Sequence, residues 1–188
     1  DKPGGKYSVL MDYISGYDLA DAANRTKKGR FSEQFVVPKM VQVATILHHL
    51  HTLPPHIHPG PVVHRDIKPK NIMYQDGSMV LMDYGLAEVI TPDNQINTHA
   101  LGTKGYAPPE QITKGAPLDI RSDIYSLGMT MYQLLVGELP ESDRRGIPTG
   151  PVDAHAANPE VSRALSDVIA KCVALRPDDR YSSMVEVI

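Results

Sequence analysis

Apolar residues recur at helical spacing between positions 31 and 53. Val37, Met40, Val41, Ala44, Leu47 and Leu50 fall on one face and predict a long amphipathic helix. Pro38 lies inside this stretch and is expected to kink the helix or to mark its regular start. Positions 122–137, SDIYSLGMTMYQLLVG, are apolar nearly all round, which predicts a buried central helix. Ser122 or Asp123 is its expected N-cap, and Gly137 its end. Residues 159–175 predict another helix, and SSMVEVI at the end of the chain begins a last one. GYDLADAANR (16–25) reads as a turn into a short helix with Asp18 near its start. Strand signals are few and short. KYSVLMDYI (6–14) is one, and residues 62–82 give a short strand, a loop and a hairpin turning at Asp76–Gly77. PPHIHPGP (54–61) must be a loop, and residues 86–120, rich in Thr, Pro and Gly, predict irregular structure. The fold class is mainly α (α+β), helical with short β-hairpins.

Composition narrows this picture only a little. A chain of 188 residues forms one domain or the greater part of a larger one, and 41% hydrophobic content is ordinary for a globular protein. A net charge of −3 gives no hint of nucleic acid or an anionic membrane as partner. Cys172 is the sole cysteine, so an internal disulfide is ruled out, which fits a reducing compartment. No run of eighteen apolar residues and no signal peptide is evident. The chain begins at Asp1 without a methionine and stops within an amphipathic pattern, so both ends are expected to be cut.

The chemistry gathers in VVHRDIKPKN (62–71). Two β-branched residues lead into a loop carrying Asp66, Lys68 and Asn71. Farther on come DYG (83–85), GTKGYAPPE (102–110), SDIYSLG (122–128) and DDR (178–180). In order and rough spacing these resemble the catalytic lobe of the protein kinase family, over nearly the whole chain. The resemblance divides the chain into a hinge (11–16), a catalytic loop (64–71), an activation segment (83–110) and a helical remainder (111–188). It implies a serine/threonine protein kinase using ATP and Mg²⁺, with a protein Ser or Thr hydroxyl as acceptor. The GTKGYAPPEQ and SDIYSLG stretches look most like bacterial members.

Roles follow by position. Asp66 matches the base that accepts the substrate hydroxyl proton, and Lys68 the cation that reaches the γ-phosphate. Asn71 and Asp83 match the Mg²⁺ ligands, hard oxygen donors suited to that ion. Met11 would stand beside the adenine pocket, and the backbone of Asp12 and Ile14 would bond adenine. Asp18 would meet the ribose hydroxyls, or cap a helix, or do both. Met73 would form the apolar floor under adenine, or belong to the core. Thr103 matches a threonine that bonds Asp66 and Lys68. Glu110 and Arg180 resemble a buried ion pair, and Asp123 an acceptor for the backbone around His64 and Arg65. Tyr84 replaces the usual phenylalanine and should pack under His64. Arg65 makes activation-segment phosphorylation an expectation, with Thr98 the better-placed acceptor and Thr91 the other. Lys70 stands where some basic-directed kinases carry an acid.

Other parts of the family pattern are not in the sequence. There is no G-x-G-x-x-G, and neither Lys2 nor Lys6 lies in a suitable strand, so the amino-terminal lobe is expected upstream of Asp1. Little activity is expected from these 188 residues alone. The alternative is a pseudokinase or scaffold that binds partners without catalysis; a small-molecule kinase is disfavoured by the long segment ending in APPE. His48, His49, His51, His56 and His58 crowd one stretch, but no cysteine or carboxylate is near enough in sequence to complete a zinc set. The expected location is cytoplasmic, free or as the cytosolic domain of a membrane-tethered kinase.

Overall fold

Helix α3 (Arg121–Val136) runs through the middle of the computed structural model, which describes residues 13–91, 96 and 100–188. Every position from Ser122 to Leu135 except Gln133 is buried, as the all-round apolar pattern requires. Against α3 pack α2 (Glu33–His51), α4 (Ala154–Ala157) and α5 (Arg163–Cys172), while α6 (Met184–Val187) lies on α2. Gly128 lets α5 come close to α3. A Cβ there would sit 2.7 Å from both Cys172 Cβ and Val173 Cγ1. Gly137 ends α3 with φ 103° and donates to the Gln133 carbonyl at 2.7 Å, the left-handed cap that glycine makes at low cost.

A three-stranded antiparallel sheet, in the order β1 (Tyr17–Asp18), β3 (Ile72–Gln75) and β4 (Ser78–Leu81), flanks this bundle. Ile72 pairs with Leu81 and Gln75 with Ser78. The connecting residues Asp76 and Gly77 have φ 49° and 91°, the positive values of a two-residue hairpin turn. A second pair joins β2 (Val62–Val63) to β5 (Glu88–Val89), with Val63 opposite Glu88. Asp18 caps the short helix α1 (Leu19–Asn24) by accepting the Asp21 N–H at 2.9 Å. The strand expected at 6–14 falls almost wholly outside the described residues.

Four expectations are corrected. Pro38 neither begins α2 nor stands near its end. It lies on the exposed face well inside the helix, where water can serve the carbonyl of the equally exposed Gln34. The buried face of α2 is Val36, Met40, Val43, Ala44, Leu47 and His51, and Val41 is exposed. Contact with α3 and β4 has rotated the stripe by about one position. Neither Ser122 nor Asp123 caps α3. Ile120 holds that position, and both side chains serve tertiary partners instead. Helix α5 is shorter than the stretch 159–175, because the Ser162 hydroxyl caps it by accepting the Leu165 N–H.

Two buried acids tie the bundle to the loops. Glu110 and Arg180 form a two-pronged pair, at 2.7 Å and 3.0 Å, and Ser122 Oγ also donates to Glu110. The remaining Arg180 donors meet the carbonyls of Ala174, Arg121 and Leu175. Asp123 is fully buried. Its Oδ2 accepts the His64 N–H at 2.9 Å and faces His51 Nε2 at 2.8 Å, and its Oδ1 accepts the Arg65 N–H at 2.9 Å. Burial alone would raise the Asp123 pKa. The bonds to His51 and to the two backbone amides outweigh it and hold the carboxyl below its ordinary value.

Two stability outcomes are expected of the intact protein. Glu110→Ala leaves Arg180 buried without its partner and should cost roughly 3–5 kcal/mol in urea denaturation. For Asp123 the folded pKa is depressed, so its contribution is fully present above the ordinary value of 3.8 and is lost as pH falls through the folded value. Unfolding free energy should therefore drop on acidification below 3.8, and Asp123→Asn should remove that part of the slope.

Candidate active site

The site is built on the loop that follows β2. Asp123 fixes its first two amides, those of His64 and Arg65. Arg65 adopts φ 70°, an uncommon conformation for a residue with a side chain. Its carbonyl accepts the Gln111 side-chain amide at 2.6 Å, which also reaches the Leu101 carbonyl at 3.0 Å. The loop is thus held on both sides of a strained residue. Ile67 is fully buried beneath it, and Pro69–Asn71 form a 3-10 turn closed by the Asn71 N–H on the Lys68 carbonyl.

This frame turns Asp66 toward three side chains. Lys68 Nζ donates to Asp66 Oδ2 at 2.8 Å and to Thr103 Oγ1 at 2.7 Å. Thr103 in turn donates to Asp66 Oδ1 at 2.5 Å. Asn71 Nδ2 donates to the Asp66 carbonyl at 2.8 Å and to Oδ2 at 2.9 Å. Burial pushes the Asp66 carboxyl up, but Lys68, Thr103 and Asn71 together bring it below the ordinary aspartate value, so it is ionised at neutral pH. With both amide hydrogens spent on Asp66, the Asn71 oxygen is the end that faces away and is available as a hard ligand.

Asp83 arrives from the end of β4. The Met82 N–H donates to the Asn71 carbonyl at 2.8 Å, which sets Asp83 beside Asn71 along the backbone. Asp83 has φ 62° and accepts the Gly85 N–H at 3.3 Å; it is exposed. His64 braces the junction. Its Nδ1 accepts the Asp66 N–H at 3.3 Å, so the proton is on Nε2, which donates to the Met82 carbonyl at 3.1 Å. Burial lowers the His64 pKa despite Asp123, Asp66 and Asp83 nearby, which keeps the ring neutral. Tyr84 packs edge-on against it with ring centres 4.8 Å apart and is 47% exposed, so its hydroxyl has access to water.

On the far side of β3, Asp18 lies opposite Met73 in the sheet register. Met73 is half-buried and stands outside the main apolar core among the described residues. Asp18 does not stand open toward the cleft. Its Oδ2 is paired with Lys70 Nζ at 2.8 Å, and Lys70 also reaches Asp21 at 3.3 Å. Ile14 is half-buried. Met11, Asp12 and Thr98 lie outside the described residues. Among the described residues no group of three or more His, Cys, Asp or Glu side chains converges as a metal cage. One carboxylate and one amide oxygen suit an ion that takes its other ligands from phosphates and water, as Mg²⁺ does.

The pairings expected from the sequence for Thr103 with Asp66 and Lys68, for Glu110 with Arg180, and for Asp123 with the His64 and Arg65 amides are present, whereas the Asn71 bonds to Asp66 are not among those expectations. Sequence reasoning did not find Gln111, nor the Glu88 carboxylate that accepts from Arg65 Nη1. It considered His51 with the zinc candidates; the ring is committed to Asp123.

A family model for the protein kinase domain matches residues 3–187. A probable serine/threonine-protein kinase of Clostridium acetobutylicum is 29% identical over 189 residues, 96% of this chain and 27% of that protein. Serine/threonine-protein kinase C of Synechocystis is 34% identical over 191 residues, 96% of this chain and 33% of that protein. The chain therefore spans about a third or less of these relatives. The crystal structure of the Mycobacterium tuberculosis PknI kinase domain, a double mutant, superposes with a TM-score of 0.72 at 26% identity, covering 94% of this chain and 62% of that one. The chain belongs to the protein kinase domain family.

Proposed function

We propose that this chain is the substrate- and Mg²⁺-aligning part of a serine/threonine protein kinase that transfers the γ-phosphoryl group of ATP to a protein hydroxyl. The observation that carries the reading is the closed set of bonds joining Asp66, Lys68, Thr103 and Asn71. Phosphoryl transfer asks the protein for alignment and charge compensation more than for covalent chemistry.

Asp66 accepts a hydrogen bond from the incoming serine or threonine hydroxyl and points its oxygen at the phosphorus. Its lowered pKa makes it a weak base, so orientation is its main contribution and proton acceptance comes late. Lys68 sits 2.8 Å from Asp66 and offsets charge on the moving phosphoryl group. Asn71 and Asp83 would hold Mg²⁺, which would supply neutralisation of the phosphate oxygens. Met73 lies under adenine, and the Ile14 backbone, with Met11 and Asp12, completes the adenine side. Asp18 reaches the ribose hydroxyls when Lys70 shares or releases it. His64, Arg65, Asp123, Glu110 and Arg180 position this machinery without touching substrate. The intact set favours catalysis over a purely scaffolding role. The kinase works in the cytoplasm, free or as the cytosolic domain of a tethered protein. Cys172 fits that compartment: it is buried and unbridged, with its thiol pushed up to about 12 by burial.

The protein expressed from its complete coding sequence should label Ser- and Thr-containing peptides from ATP in a Mg²⁺-dependent manner. Asp66→Asn should lower kcat by about 10²–10⁴ with little change in ATP binding. Wild-type protein that transfers no phosphate, or an Asp66→Asn variant of undiminished kcat, contradicts the reading.

A further inference from the structure

Arg65 is fixed through its backbone at both ends, by Asp123 on the N–H and Gln111 on the carbonyl. Its side chain is fixed separately. Guanidinium Nη1 donates to the carboxylate of Glu88, and the Arg65 side chain is 6% exposed against 33% for Glu88. The fold delivers Glu88 to this place. In the β2–β5 ladder Val63 lies opposite Glu88, so the carboxylate projects from the strand paired with the residues that lead into Arg65. Among the described residues Glu88 is the carboxylate within ion-pair distance of Arg65.

An arginine just before the aspartate that orients the substrate hydroxyl is the expected receptor for a phosphate on the segment 83–110. A phosphothreonine would bring nearly two negative charges. Here the seat already holds a carboxylate belonging to the chain, kept in register by backbone pairing. A phosphate entering beside it would meet a guanidinium whose charge is balanced and a neighbour of its own sign. Thr91 lies two residues past Val89, where the strand that carries Glu88 ends, and is half-buried.

We propose that Glu88 is the resident counter-ion of Arg65, a positioning residue that sets Arg65, and through it Asp66, without phosphorylation of the segment 83–110. The inference rests on the proposed kinase activity. It gives the expected phosphorylation of Thr98 or Thr91 a different place: phosphate there is not what orders the catalytic loop. Glu88 touches no substrate, so its removal should be felt in the orientation step and not in nucleotide binding.

The test uses the protein expressed from its complete coding sequence, with kcat and the KM for ATP measured on a Ser/Thr peptide. Wild type treated with a Ser/Thr phosphatase, then freed of it, should keep kcat within about threefold of the untreated protein. Glu88→Gln should lower kcat by about tenfold or more while the KM for ATP stays within about twofold, and Glu88→Asp should restore most of the loss. A larger fall on dephosphorylation overturns the proposal, as does a Glu88→Gln variant with kcat intact or an effect confined to KM. If Glu88→Gln does not fold, as judged by its melting curve, the phosphatase comparison decides alone. Wild type without any phosphate transfer overturns the proposed function itself; transfer that depends on phosphorylation overturns only the role of Glu88.

Discussion

One buried carboxylate organises the site. Asp123 sits within the first turn of the most enclosed helix and spends its oxygens on the amides of His64 and Arg65 and on the His51 ring. A carboxylate with no access to water is costly unless hydrogen bonds replace its hydration. Here the replacement is two backbone N–H groups and an imidazole, and the donors are the residues that lead into Asp66. The cost of burying the acid and the geometry of the loop are thus one arrangement. The loop donors would be orphaned without the acid, and the acid would be uncompensated without the loop.

From that anchor the strain and the charge of the site follow. Two of the described non-glycine residues with positive φ, Arg65 and Asp83, flank the site. Such conformations cost on the order of 1–3 kcal/mol each and persist only where the surroundings over-determine them. Arg65 has Asp123, Gln111 and Glu88 on three sides. Asp83 is carried by Met82, whose N–H and carbonyl are held by Asn71 and His64. The aligned result is an Asp66 carboxylate with three side-chain donors. It is stabilised as an anion, which suits the proposed role of pointing a hydroxyl while remaining a weak base. The Glu110–Arg180 pair does comparable work at the other end, fastening the APPE stretch to α3 through Ser122 and the Arg121 carbonyl.

Local chemistry made much of this legible in the sequence. The Asp76–Gly77 turn, the Gly137 cap and the all-round apolar α3 each depend on a few adjacent residues, and each stands where the pattern put it. The bonds of Thr103 to Asp66 and Lys68 followed from the ordered motifs, whereas the Asn71 and Lys68 bonds to Asp66 did not. What was not legible joins positions far apart in the chain. Lys70 occupies Asp18 across 52 residues and His51 meets Asp123 across 72, and neither pairing leaves a mark in local composition. The N-cap of α3 was misread for the same reason: a Ser–Asp pair at a helix start looks like a cap, but both side chains were drawn to tertiary partners. Pro38 does not mark the start of α2, because an exposed helix face tolerates a missing donor better than the propensity of proline suggests.

Amide hydrogen exchange in Asp123→Asn, compared with wild type under native conditions, tests the organising role of this carboxylate most directly. Asparagine keeps the shape but offers a single, uncharged acceptor oxygen. Each charge-assisted bond contributes about 1.5–3 kcal/mol, so the His64 and Arg65 amides should exchange roughly tenfold or more faster while the middle of α3 is unchanged. Full protection of both amides in the variant would contradict the account and would mean that the loop holds its shape without the buried acid.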